Sequence, residues 1–391
     1  MMKKLKILVI PTNYPNDKQP LKGIFFKNQA QALAKHADVA VLDLELLSVK
    51  ELKNYFKIDK YDYSIEKNVH TFRFREFNYG LKCNSLVNKL YEKHVYKCFE
   101  KVISKFGMPD IIHGQVTYYG GYLSYLLSKK YNIPYIVTEH FSFLEKMVKK
   151  NPEICKKVFE NANTYLAVSN TLQNEVKCLG NIPCSVMPNY IDIDSFSTNN
   201  YIKSIKNNGK FNLIHVSLFS DIKNIPMLLK SLHMLIYDDK ISNVHLHIIG
   251  DGAIRTDIER IINNLNLNNY CTLHGSVAND KLSRYINSCN SLVISSKKET
   301  FGVVGIEAMI LGLPVISTKC GGPQMYITPS TGILVDNDDT FAMKNGLKEL
   351  ITNYYKFDSE YIKEFVTSNF SEEFVTNKLL NLYNNLKNKN H

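Results

Sequence analysis

Short apolar, β-branched runs alternate along this chain with longer stretches whose apolar positions recur at helical spacing. In the first half, KILVI is followed by FKNQAQALAKHA and DVAVLDL, and later come DIIHG, a helical stretch, IPYIVT and TYLAVS. Continuous apolar strands separated by amphipathic helices belong to parallel sheets covered on both faces, so the pattern predicts βαβ units. The polar segment STNNYIKSIKNNGK, residues 197–210, interrupts the alternation, which restarts with FNLIHVS, PMLLKSLHMLI, NVHLHIIG, IERIINNL, CTLHG, LSRYINS and SLVISS. The expected architecture is α/β. Two Rossmann-like domains, residues 1–195 and 211–370, are joined by a linker at 196–210 and face a cleft where ligands meet strand C-termini. The tail SEEFVTNKLLNLYNNLKN, with Ser371 as N-cap, predicts a helix within 371–391 that packs back on the body.

Composition refines this picture in three ways. With 45% hydrophobic and 22% charged residues in 391, the chain is ordinary globular material with enough length for two or three domains. No apolar window is long enough for a membrane helix, and MMKKLKILVI reads as a first strand rather than a signal peptide. The eight cysteines include no C-x-x-C pair, which predicts reduced core thiols in a cytosolic protein and neither a disulfide framework nor a zinc site. The net charge of +11 is uneven, with +9 over residues 1–200 and +2 over the rest, so the first half is expected to meet the anionic partner.

The chemistry concentrates in ETFGVVGIEAMILGLPVI, residues 299–316. Between Phe301 and Ile316 the only charge is Glu307, and a carboxylate in so apolar a run needs a protein donor or a ligand. SLVISS supplies a strand, KKET a turn, and a helix is expected to begin at Gly302 or Val303. Glycine admits close approach to the backbone, and the free amides of a helix start suit an anion such as a diphosphate. Glu299 before the helix and Glu307 inside it would then reach one elongated, hydroxyl-rich ligand.

Glu, seven residues, Glu, then AMILGLPVIST and CGGP, resembles the signature of the retaining glycosyltransferases of family 4, which have the GT-B fold. The similarity extends along the chain through PTNYPN with Gly23, DIIHG, IVTEH at 136–140, AVSN, VMPNYID, Lys223-Asn224, IIGDG and TGILV. The resemblance implies transfer of a hexose or N-acetylhexosamine from a nucleotide-diphosphate sugar, UDP favoured, to a saccharide or lipid-linked acceptor held by the first domain, in cell-surface polysaccharide or glycan synthesis. It places Glu299 against the donor sugar, Glu307 on the ribose, the backbone of Phe301, Gly302, Val303 and Val304 on the distal phosphate, and Lys223 on the departing diphosphate. Val277 falls where the base is contacted. Gly23 lets the first loop close over the phosphates, and His140 bonds the transferred sugar or orients the acceptor. Each has a plainer reading beside it: a structural carboxylate for Glu307, a cap for His140, a solvated lysine for Lys223, and a core histidine for His113.

Three positions depart from the family pattern. Leu218 stands where many members carry a second cation, an arginine, so either the helix start does more or Lys297 or Lys298 substitutes. Tyr190 replaces a common glycine, and Met325 a common glutamate. Asp192-Ile193-Asp194 imitates the Asp-x-Asp metal motif of another glycosyltransferase fold but lies at the exit of the first half, and no cofactor or catalytic metal is expected. The non-enzymatic alternative is a nucleotide-sugar-binding or scaffold protein, favoured by Leu218 and opposed by the two glutamates, Lys223 and His140. Finally, Lys89, Lys93, Lys97, Lys101 and Lys105 recur every four residues beside an apolar side at Val87, Tyr91, Val95, Cys98 and Val102. This ridge is either a solvated face or a contact for anionic lipid at the inner face of the membrane. No recognition motif points to nucleic acid.

Overall fold

A computed structural model describes residues 4–16, 19–20, 22–47, 59–79, 83–196 and 201–389. The chain forms two compact units, residues 1–187 with 375–391, and residues 188–374. The segment expected as a linker lies partly outside the described residues, and its described part holds a short helix, Lys203–Lys206.

The sheet of the first unit contains β1 (Lys6–Ile10), β2 (Asp38–Leu47), β3 (Tyr61–Glu66), β4 (Val69–Phe77), β5 (Ile111–Gln115), β6 (Tyr135–Glu139), β7 (Thr164–Ala167) and β8 (Ser185–Val186). Their order is β3-β4-β2-β1-β5-β6-β7-β8, parallel except for the β3–β4 pair. The apolar runs are the buried strands, as the pattern predicts: Ile7 to Ile10 and Ile111 to Gln115 are buried throughout. The β3–β4 hairpin turns through Lys67 and Asn68, both at positive φ. Two such residues between alternating strands are the mark of a tight hairpin turn.

Chain order reverses between β1 and β5, which puts the crevice of this sheet at their C-terminal ends. The loops there are held by polar bonds. Thr12 Oγ1 donates to the carbonyls of Gln115 (2.8 Å) and Tyr118 (3.0 Å). The buried Glu139 carboxylate accepts from the amides of Thr117, His140 and Phe141 at 2.8–3.0 Å. Val116 and Tyr119 sit at positive φ in the loop after β5, and strain of this kind in non-glycine residues clusters at functional loops.

The second unit has an all-parallel sheet, β11-β10-β9-β12-β13-β14, from β9 (Phe211–Val216), β10 (Val244–Ile249), β11 (Cys271–Gly275), β12 (Ser291–Ile294), β13 (Val315–Thr318) and β14 (Gly332–Val335). Leu213, Leu246, Ile248, Val293 and Ile316 on one face of it pack with Leu228, Leu229 and Leu232 of the Ile225–Tyr237 helix. Here the order reverses between β9 and β12, so the switch point lies where His215, Val216 and Ile294 end their strands.

The terminal helix Glu372–Lys389 belongs, from Val375 on, to the first unit. Its Tyr383 is fully buried, and the hydroxyl lies 2.6 Å from Nδ1 of His113, whose Nε2 lies 2.7 Å from Thr138 Oγ1. His113 is thus the satisfied core histidine of its plainer reading, and burial holds its pKa down to about 3, with His140 adding to the depression. Tyr383→Phe removes the 2.6 Å partner of the buried His113 Nδ1 and leaves only Gln115 Nε2 near it, at 3.5 Å. Urea unfolding is expected to show a loss of about 1–3 kcal/mol, and an unchanged midpoint would count against the tether.

Candidate donor site

The loop after β12 and the helix Val303–Ile310 build the site. Glu299 is placed by its backbone, whose N–H donates to the Cys320 carbonyl and whose carbonyl accepts from Gly322 N–H, both at 2.9 Å. That strand-like stitch requires glycine at 322, since a Cβ there would lie 2.2 Å from Phe301 Cα. Phe301 is buried against Tyr326 and Phe370 with ring centroids 5.6 and 5.8 Å apart. Gly302 caps the helix at φ 79°, ψ 58°. Its carbonyl accepts from the Tyr326 hydroxyl at 2.7 Å. No side chain caps this helix start, so the first helical amides lack a side-chain partner.

Lys223 arrives from the 3-10 turn Asp221–Lys223, which is tied to the same loop: Ser295 Oγ donates to the Lys223 carbonyl (2.8 Å) and Lys297 N–H to the Ile222 carbonyl (2.7 Å). Its ammonium lies 2.6 Å from Glu299 Oε1, which also accepts from Ser296 Oγ at 2.6 Å. Both side chains are partly buried, at 24% and 15% exposure, and among the described residues no partner is recorded for Glu299 Oε2.

These groups surround a cavity of about 330 Å³. Of the residues picked out in the sequence, Lys223, Glu299, Phe301, Gly302, Val303 and Val304 line it. Sequence reasoning missed Asn189, His215, Ser217, Ser296 and Thr300 in the same wall. The signal available was a histidine and a serine closing the apolar run FNLIHVS. Asn189 is 8% exposed, and among the described residues its Oδ1 has no hydrogen-bond partner. Neither Val277, in the loop after β11, nor Glu307 is part of this lining. Leu218 is 69% exposed and also outside it, as are Lys297 and Lys298; Lys297 lies 3.5 Å from Asp338.

Gly23 and His140 lie in the first unit. Gly23 is the left-handed N-cap of the Ile24–Leu33 helix, and a Cβ there would meet the Asn13 carbonyl oxygen at 2.3 Å. His140 Nε2 is 2.8 Å from Gln115 Oε1, and the ring sits edge-on to Phe26 at 5.1 Å. Burial holds its pKa down to about 3, so the imidazole is neutral near pH 7. Asp192 is the N-cap of the 3-10 turn Ile193–Ser195, and Asp194 lies within it. Among the described residues no group of three or more His, Cys, Asp or Glu is arranged to hold a metal ion.

Glu307 has no protein hydrogen bond among the described residues, and burial lifts its pKa to about 7. A carboxyl group whose folded pKa lies above its unfolded value keeps its proton to higher pH in the folded state than in the unfolded one. Its stabilising share is complete below about pH 4.5, then declines as pH rises through 7. Glu307→Gln removes that loss. The variant is expected to match the parent near pH 4.5 and to exceed it by roughly 1–3 kcal/mol above pH 7.5 in urea titrations. Parallel pH–stability curves would show that the carboxylate is already stabilised.

Comparison with known proteins bears on the family and the fold. Residues 197–365 match the family described as glycosyl transferases group 1, and residues 58–195 match Glycosyltransferase Family 4. TuaC of Bacillus subtilis (strain 168), a glycosyltransferase named provisionally for teichuronic acid biosynthesis, is 26% identical over 379 residues, spanning 90% of this chain and 89% of its own. Sucrose-phosphate synthase from Thermosynechococcus elongatus superposes with a TM-score of 0.76 at 20% identity, over 98% and 99% of the two chains. HepE of Anabaena in complex with UDP gives 0.73 at 15% identity, over 97% and 100%. Two α/β units with this strand order, and two family matches that follow one another along the chain, make the protein a glycosyltransferase of the group 1 and family 4 type, with the GT-B fold.

Proposed function

We propose that the chain transfers a hexose or N-acetylhexosamine from a UDP-sugar to a saccharide or lipid-linked acceptor, with retention of anomeric configuration, in cell-surface polysaccharide or glycan synthesis. The observation that carries this reading is the Lys223–Glu299 pair at 2.6 Å beside the free amides that open the Val303–Ile310 helix. One short wall then offers a cation and helix amides for a diphosphate, and a carboxylate edge for sugar hydroxyls. The UDP held by HepE and the teichuronic acid biosynthesis in the name of TuaC support the choice of donor and product class.

In this mechanism the diphosphate departs as Lys223 and the amides of Phe301 to Val304 take up its developing charge, so positioning and fixed positive ends do most of the work. Glu299 holds the donor sugar, Glu307 the ribose, and Val277 contacts the base through its backbone. The acceptor hydroxyl attacks from the face the diphosphate leaves, and the leaving phosphate takes its proton. No metal or other cofactor takes part. Gly23 and His140 serve phosphate closure and the transferred sugar. The exposed Leu218 favours the second reading, a donor-binding scaffold without turnover.

Glu299→Gln separates the two. Transfer from UDP-sugars is expected to fall by about 10²–10³, the usual effect of losing one charged contact to a transition state, with the thermal unfolding midpoint kept. Wild-type protein that binds donors yet turns over none, across saccharide and lipid-linked acceptors, would establish the scaffold.

We also propose that the first unit touches an anionic membrane surface. No helix among the described residues is long and apolar enough to cross a membrane. All five ridge lysines of the Asn84–Phe106 helix are exposed, and Lys101 and Lys105 lie over the rings of Tyr61 and Tyr63 at 4.1 and 4.0 Å. Sedimentation with anionic vesicles is expected to exceed that with neutral ones and to weaken with salt, at about 1 kcal/mol per engaged lysine. Equal recovery would make the ridge a solvated face.

A further inference from the structure

His215 ends β9 buried at 2% exposure, within the wall of the donor cavity. Its Nδ1 lies 3.0 Å from the Val293 carbonyl oxygen and its Nε2 lies 2.8 Å from Ser217 Oγ. A backbone carbonyl can only accept, so Nδ1 carries the proton. In the neutral ring Nε2 must therefore be a lone pair, and the Ser217 hydroxyl donates to it. That polarity leaves Ser217 presenting only oxygen lone pairs to the cavity, the wrong sign for a phosphate, which also only accepts.

We propose that binding of a diphosphate reverses this relay: His215 takes one proton from solvent on Nε2, donates it in a hydrogen bond to Ser217 Oγ, and the freed Ser217 hydroxyl donates to a phosphate oxygen. The inference rests on the donor reading above. The proton balance is one taken up per donor bound and one returned when the diphosphate leaves. No covalent bond changes. The imidazolium would supply the second positive charge that Leu218, exposed and outside the cavity, does not.

The surroundings favour a switch that the ligand drives. In the free protein burial holds His215 down to about 4, Lys223 adds repulsion, and the Val293 carbonyl pulls the other way. Lys223 and Glu299 are the charged residues in the cavity wall, and they are paired with each other. On the sheet, His215 stands in register with Ile248 of β10, while His245 and His247 pair with Asn212 and Ile214 and so lie on the opposite face. The residues of the Ile225–Tyr237 helix packed on the His215 face are apolar, among them Ile225, Leu228 and Leu229. A diphosphate would be the unbalanced anion nearest the ring, and it raises the proton affinity of a nearby imidazole.

The test is calorimetric titration of the full chain with UDP-glucose, whose phosphates lack the second ionisation near pH 6 of a terminal phosphate. Run near pH 7 in buffers of different ionisation heat, it is expected to show uptake approaching one proton per donor, and the dissociation constant should fall by up to about tenfold per unit towards pH 5. His215→Gln should abolish the uptake and flatten the pH dependence. Ser217→Ala should bind more weakly and take up less. If wild-type protein binds UDP-glucose with identical heats in all buffers and pH-independent affinity, the relay is overturned while the donor cavity stands. If UDP-glucose, GDP-mannose and ADP-glucose all fail to bind, the donor reading falls and the relay with it.

Discussion

The bare backbone of Gly322 lies directly on Phe301, with no room for a β-carbon between them. The Glu299 side of the cavity rests on that contact. It lets the chain after β13 run beside the loop after β12, so Glu299 is gripped from both sides by Cys320 and Gly322. It also seats Phe301 against Tyr326, whose hydroxyl fixes the Gly302 carbonyl and hence the turn into the helix. The Glu299 carboxylate and the uncapped start of the Val303–Ile310 helix are thereby held by the backbone around them.

The cavity occupies the place that sheet topology reserves for it. Between β9 and β12 the connections leave in opposite directions, opening a crevice at the strand C-termini. His215 and Ser217 come from one side of it, Ser296 and Glu299 from the other, and the Asp221–Lys223 turn is sewn across by Ser295 and Lys297. The Lys223 and Glu299 charges oppose one another across the cavity wall at 2.6 Å. The first unit repeats the switch-point geometry between β1 and β5, with strained backbone at Val116 and Tyr119 and a neutral His140 beside Gln115.

Much of this was legible in the chain as written. Buried parallel strands announce themselves as apolar runs, and the αL start at Gly302 follows from a glycine between a strand, a turn and an apolar helix. The β3–β4 hairpin was readable from its alternation around Lys67-Asn68 but was hidden by the βα rhythm on either side. Glu307 shows the opposite limit. A charge in an apolar run signals a demand for a partner, yet the run says nothing about where its helix face points, and the carboxylate stands outside the cavity that holds Glu299.

What the sequence by itself determined is the local grammar: α/β alternation, helix starts, the glycines at turns, and the ordered motifs that mark a glycosyltransferase. Tertiary structure decided which distant residues meet. Lys223 and Glu299 are 76 positions apart, and His113 and Tyr383 are 270 apart. It also decided the proton on His215, because Val293, the carbonyl that dictates it, lies on another strand. Periodicity reports the face and ends of one element, a local property of the backbone. Hydrogen-bond polarity and ion pairing depend on which elements pack side by side, and that is specified only when the whole sheet has formed.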